Sequence, residues 1–189
     1  MVRLRPRYLK DYFWRSKLRV IVRWIIEIAI VILLAFGVTF FFGHKVVVVN
    51  ASMEPTLNAG DEALVNRLAY IFTSPKRGDI VAFRPTDDAN AQVEVMRVIG
   101  LPGETVKITD GRIYINGELY EENVELPAIS NPGIAGEGVT LGGSEYFMLG
   151  DNRNNAEDSR YLNLGNIDKN LIEGKLWLRI HPFEAFGVI

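Results

Sequence analysis

The 189-residue chain has no cysteine and only two histidines, His44 and His181, far apart in the sequence. The first absence excludes a disulfide framework, and the two together argue against a Cys/His zinc cluster. No residue pattern asks for a metal or another cofactor, and none is expected. No repeat at a fixed period is present. Helical periodicity is scarce outside one apolar run, so an all-helical domain is not indicated. Strong net charge is missing too, since the total is only −2.

That small total hides a split. Residues 1–23 carry eight Arg and Lys against Asp11, a net +7, which leaves −9 on the rest of the chain. A basic head on an acidic body does not suit a nucleic-acid-binding domain, because the body repels phosphates, and no nucleic-acid partner is expected. The head has a better explanation in the run that follows it. Residues 24–43, WIIEIAIVILLAFGVTFFFG, hold one charge, Glu27. As a helix they would be about 30 Å long, enough to cross the hydrocarbon core. Basic residues before the span and few after it place the N-terminus in the cytoplasm and residues 44–189 outside. Trp24 is expected near the inner interface and Phe40, Phe41 and Phe42 near the outer one, in contact with membrane lipid. A cleaved signal peptide would have a shorter apolar core and a small-residue cleavage site, so the span reads as a retained anchor. Glu27 reads as snorkelling to the headgroups beside Arg23 at i−4 rather than as part of an ion path.

The remainder reads as one mainly β domain, an antiparallel β-sheet domain in one or two sheets outside the membrane. Residues 45–50 form a β-branched run expected to be a buried strand. Further strands are expected over 62–68, 78–85, 92–99, 106–108, 112–114, 118–120, 145–149 and 176–181. Asp110-Gly111 and Asn116-Gly117 are two-residue hairpin signals. Ala69 to Phe72 is an apolar patch that reads as core, with a dip into the membrane surface as the alternative. Residues 121–143, rich in Gly, Pro and acid, read as a long surface excursion.

Chemistry centres on Asn50-Ala51-Ser52-Met53-Glu54-Pro55-Thr56-Leu57. A serine two residues past a strand and three before a proline is more often a turn or capping residue than a nucleophile. Its neighbours strengthen the catalytic reading: the Asn50 amide is placed to donate to a developing oxyanion together with the Ser52 backbone N–H.

Four ordered stretches, 52–57 (SMEPTL), 76–83 (KRGDIVAF), 96–104 (MRVIGLPGE) and 150–160 (GDNRNNAEDSR), resemble the boxes of bacterial type I signal peptidases. With the anchor, the likeness runs over nearly the whole chain. The resemblance implies a mainly β, membrane-anchored serine endopeptidase that removes signal peptides from exported preproteins, cutting after small residues at −3 and −1. It makes Ser52 the nucleophile. The family's base is a lysine whose pKa an apolar site depresses until the neutral amine can take the serine proton. Here that position holds Met96. The family's last box commonly has a serine after Asn-Asn that bonds the lysine amine, and here it is Ala156. Both changes are mutually consistent, since Met fills the lysine's apolar channel and Ala removes a hydroxyl left without a partner. The fold should survive and the acid/base chemistry should not. The resemblance further implies an Asp158–Arg160 ion pair behind the site, with Asp151, Asn152 and Arg153 shaping the loop that holds it.

Glu94, two residues before Met96, shares its strand face about 7 Å away. It is a possible substitute base, but a solvated or paired carboxylate is the simpler reading. His44 is out of reach, roughly 26 Å along an extended strand. Val48, Val93 and Val95 are either shallow subsites or core. Two functions follow: a signal peptidase I of impaired activity whose partners are the signal peptides of secreted preproteins, or a non-catalytic relative that binds exported or surface proteins, for instance in pilus assembly.

Overall fold

A computed structural model describes residues 6–42, 44–88 and 90–189, with side chains outside residues 6–16 and 38–42. The chain divides into two units, residues 1–40 and 41–189. Helix α1, Pro6–Phe42, makes up most of the first and ends two residues past its boundary. Within it, Lys17–Gly37 is long and apolar enough to cross a membrane. Side chains from Leu18 to Phe36 are exposed. Glu27 accepts from Arg23 Nε at 2.8 Å, the i−4 pairing read from the sequence. The interface positions of Phe40, Phe41 and Phe42, the side chains of the first sixteen residues, and Gly43 at the end of the expected span all lie outside the described residues.

The second unit is built from twelve strands among the described residues: β1 His44–Val47, β2 Glu62–Asn66, β3 Ile80–Phe83, β4 Glu94–Gly100, β5 Thr105–Thr109, β6 Arg112–Ile115, β7 Glu118–Tyr120, β8 Val139–Thr140, β9 Glu145–Leu149, β10 Ile167–Asp168, β11 Ile172–His181 and β12 Gly187–Val188. Every pairing is antiparallel. The larger sheet runs β1-β2-β11-β3-β4-β9-β10 with β12 beside β11, and the smaller runs β7-β6-β5-β8.

Local chemistry explains these elements. Asp110 and Gly111 have φ of 53° and 74°, and Asn116 and Gly117 have 52° and 86°. These are the left-handed pairs that match a tight hairpin to the strand twist, and they join β5 to β6 and β6 to β7. Strand β3 is buried at all four positions: Ile80 and Ala82 enter one apolar cluster, Val81 and Phe83 another on the opposite face. A third cluster, including Ile99, Val106, Ile108, Phe147 and Leu149, joins β4 and β9 to the smaller sheet.

Three expectations are corrected. The 45–50 run is a half-buried edge, with Val46 and Val48 inward and Val47 and Val49 exposed, because one face of β1 packs on the core and the other meets solvent. The last strand starts at Ile172, four residues early. Gly174 sits within it at a bulge, where a Cβ would strike the Asn66 carbonyl, so this glycine permits a close approach rather than ending the strand. The 69–72 patch is not core as a whole: Tyr70 packs against the interior, but Ile71 is 56% exposed and Phe72 89%.

Candidate active site

Ser52 lies on a 3-10 turn, residues 51–53, packed against β4. Met53 and Leu57 are fully buried and pin the turn to the core. Asn50 caps it: its side-chain oxygen accepts from the Ser52 N–H at 3.2 Å and from the Ser52 hydroxyl at 2.5 Å. A backbone N–H can only donate, so the amide oxygen faces Ser52. Asn50 and the Ser52 N–H, the expected oxyanion pair, satisfy each other in this structure. Among the described residues, the partner of the Ser52 hydroxyl is therefore an amide oxygen, which takes up no proton near neutral pH.

The loop after β9 closes over the turn. Asn152 N donates to the Ser52 carbonyl at 2.9 Å, and Asn152 Nδ2 donates to the Ala51 carbonyl at 3.0 Å. β4 and β9 pair Arg97 with Leu149. Continuing that register by one residue sets Gly150 across from Met96. A Cβ on Gly150 would collide with the Ser52 carbonyl and the Ala156 methyl. Ser52, Met96 and Ala156 thus converge on one glycine, although they are dispersed over 105 residues of sequence.

Met96 is 1% exposed and packs with Val81, Phe83, Val98, Tyr146 and Met148. A lysine in such surroundings would be driven toward its neutral form; the thioether fills the space and accepts no proton at useful pH. Ala156 is 4% exposed and brings no hydroxyl.

Behind the site, Asp158 and Arg160 form a buried two-pronged ion pair, Nε to Oδ1 at 2.7 Å and Nη2 to Oδ2 at 2.8 Å. Asp158 also accepts from Gly150 N at 3.1 Å. Arg153 bonds the Gly150 carbonyl and Glu122. The sequence reading missed the other buried pair. Arg97, next to Met96, reaches Asp151 through Nε at 2.7 Å and Nη2 at 2.5 Å, and the Thr56 hydroxyl donates to Asp151 at 2.5 Å. Burial alone would lower the Arg97 pKa, but the Asp151 carboxylate outweighs it and holds it above its ordinary value. The available signal was an arginine inside an apolar strand, which requires a buried carboxylate.

Among the described residues, none of the other candidate bases hydrogen-bonds the Ser52 hydroxyl. His44 faces Glu173 and Arg67, and burial pushes its pKa down. Lys45 pairs with Glu62, while Lys76 and Lys107 are exposed. Glu94 is half-buried, and its pKa is raised, first by desolvation and then by the Glu157 carboxylate.

A narrow groove separates residues 47–50 from 92–95, with Asn50 and Glu94 in its walls. Val48 and Val95 line it and also belong to the core. β9 pairs with Arg97, Val98 and Gly100, and Gly150 follows opposite Met96, so the β4 edge over 94–95 opposite β3 has no strand partner among the described residues.

An apolar N-terminal helix precedes an antiparallel β unit that presents a serine on a capped turn, and the class to which this arrangement belongs, the serine endopeptidases, is given by the chain's relatives. Sequence comparison makes the family explicit. The model of the family described as "Signal peptidase, peptidase S26" matches residues 21–181, and the chain belongs to this family. It is 33% identical to "Probable signal peptidase I-2" of Synechocystis sp. (84% of this chain, 72% of that protein). It is 35% identical to "Signal peptidase I" of Leptolyngbya laminosa (85% and 79%) and 35% identical to "Signal peptidase I" of Bacillus licheniformis (85% and 89%).

Proposed function

We propose that the chain docks the C-terminal part of a signal peptide as an added strand in the groove between residues 47–50 and 92–95. The observation that carries this reading is the unpaired β4 edge beside the groove, next to the Ser52 turn. Main-chain bonds to a free edge supply affinity, while side-chain pockets on alternate positions supply selection. In this reading Val48, Val93 and Val95, which line the groove, form the shallow subsites that select alanine-sized residues on the peptide.

Ser52 is the nucleophile in this reading and Met96 stands at the base position. Asp158, Arg160, Asp151, Asn152 and Arg153 hold the loop that shapes the site. For an oxyanion to form, the Asn50 side chain must turn away and release the Ser52 N–H. With Met96 and Ala156 the hydroxyl has no proton acceptor, so the chain binds signal peptides and cleaves them very slowly. In another serine protease system, loss of one catalytic member costs on the order of 10⁴ to 10⁶ in turnover. The N-terminal head lies in the cytoplasm and the β unit outside, with the anchor in membrane lipid.

Incubating a preprotein with the chain, beside a Met96→Lys, Ala156→Ser version, tests this. The expected outcome is binding by both and rapid cleavage by the second alone. Equal cleavage by both sinks the disarmed reading, and absence of binding by both sinks the docking reading.

A further inference from the structure

The 121–143 stretch has the composition of a solvated excursion, but the fold ties it down at several points. Ile129 and Ala135 enter the apolar cluster shared with β4, β9 and the smaller sheet, and Ile129 N donates to the Gly111 carbonyl at 3.2 Å. Around these anchors the segment runs along the 150–160 loop. Asn154 Nδ2 donates to the Ala128 carbonyl at 3.0 Å, and Asn154 Oδ1 accepts from Ser130 N at 2.9 Å. Arg160 Nη1 donates to the Asn131 carbonyl at 3.0 Å, and the Arg160 carbonyl accepts from Ile134 N at 3.0 Å. At Gly133 the two segments approach so closely that a Cβ would strike the Arg160 carbonyl. A segment held by a core cluster on one side and by the loop on the other is a brace rather than a free loop.

The brace carries one charge into the site. Glu122, two residues after β7, meets Arg153 in a two-pronged ion pair, Nη1 to Oε2 and Nη2 to Oε1, both at 2.6 Å. The Arg153 side chain is 2% exposed and that of Glu122 14%. Such a fork fixes the plane of the guanidinium as well as its distance. The third nitrogen, Nε, donates to the Gly150 carbonyl at 3.1 Å. Among the described residues no other carboxylate pairs with Arg153, so loss of Glu122 would leave a buried charge unpaired and draw the guanidinium toward water. Gly150 is the residue whose missing side chain makes room for the Ser52 carbonyl and the Ala156 methyl. Its N–H donates to Asp158 at 3.1 Å. Gly150 is therefore gripped at both backbone polar groups, each time by a side chain backed by an ion pair: Asp158 by Arg160, and Arg153 by Glu122.

We propose that Glu122 is a positioning residue for the reaction at Ser52, acting through Arg153 and the Gly150 carbonyl to fix the spacing between the Ser52 turn, position 96 and position 156. Glu122 is not among the residues that line the groove, so it sets this spacing without touching the peptide. A displacement of about 1 Å between reacting groups can cost 10²-fold in rate, and a partial loosening of Gly150 corresponds to about tenfold. The inference rests on the reading of Ser52 as the nucleophile.

The test uses the detergent-solubilised full chain carrying Met96→Lys and Ala156→Ser as parent, with steady-state cleavage of a preprotein. Adding Glu122→Gln is expected to lower kcat about tenfold and to leave KM within about twofold, because the groove walls are unchanged. Glu122→Asp keeps the counter-charge and should hold kcat within about threefold of the parent. Ile108→Val, in the buried face of β5, should lower Tm without changing kcat. An unchanged kcat in Glu122→Gln overturns the proposal, as does a loss confined to KM or an equal loss in Glu122→Asp. A kcat lowered as much by Ile108→Val would trace the effect to general stability and likewise overturn it. A parent without activity overturns the Ser52 reading and this inference with it, whereas an active parent indifferent to Glu122→Gln overturns this inference alone.

Discussion

Asp151 ties three segments together, and its removal has a calculable effect. It holds Arg97 on β4, the Thr56 hydroxyl beyond the Ser52 turn, and the start of the loop that carries Ala156. Its side chain is fully buried and that of Arg97 is 9% exposed, so solvent screens the pair little. Asp151→Ala leaves a guanidinium buried without its counter-charge, a change that costs about 3 to 5 kcal/mol. For a unit of this size each kcal/mol moves Tm by about 2 to 4 °C, so a fall of roughly 10 °C is expected. Removing both charges with Arg97→Met and Asp151→Ala should recover part of the loss, because no unpaired charge then remains. Thermal unfolding of the detergent-solubilised full chain, followed by the β signal in far-ultraviolet circular dichroism, measures both. A fall below about 3 °C for the single change, or a double variant no better than the single, would refute the reasoning.

Two further outcomes follow from the site. Glu94 has a raised pKa in the fold, so its favourable contribution is complete below the unfolded value of about 4.3 and is lost as pH rises through the folded value. Glu94→Gln should therefore raise Tm at pH 7 and leave it unchanged near pH 3.5; an equal effect at both contradicts the assignment. Gly150→Ala forces a methyl group against the Ser52 carbonyl and Ala156, costing about 1 to 3 kcal/mol. Hydrogen exchange should quicken in residues 51–57 and 150–156 together, and a change confined to one segment would separate the two.

Much of the fold was legible because its signals are local. Asp110-Gly111 and Asn116-Gly117 announce hairpins through residues that tolerate positive φ, and the apolar run with its basic head announces α1. The family boxes mark Ser52, Met96 and Ala156 in the sequence itself. What escaped depends on the third dimension. Arg97 and Asp151 are 54 residues apart, and only the β4–β9 register makes them neighbours. The apolar character of Ile71 and Phe72 cannot distinguish burial in protein from exposure at its edge. Asn50 carries both a donor and an acceptor, and the choice between them is made by the Ser52 N–H that it caps.

Single-turnover cleavage of a preprotein, comparing the unaltered chain with Met96→Lys, Ala156→Ser, tests the central claim most directly. A proton acceptor at position 96 is predicted to raise the rate by about 10⁴-fold or more, with signal-peptide affinity unchanged. Comparable rates in the two forms would contradict it, and would mean that Ser52 is activated by a group other than the residue at position 96.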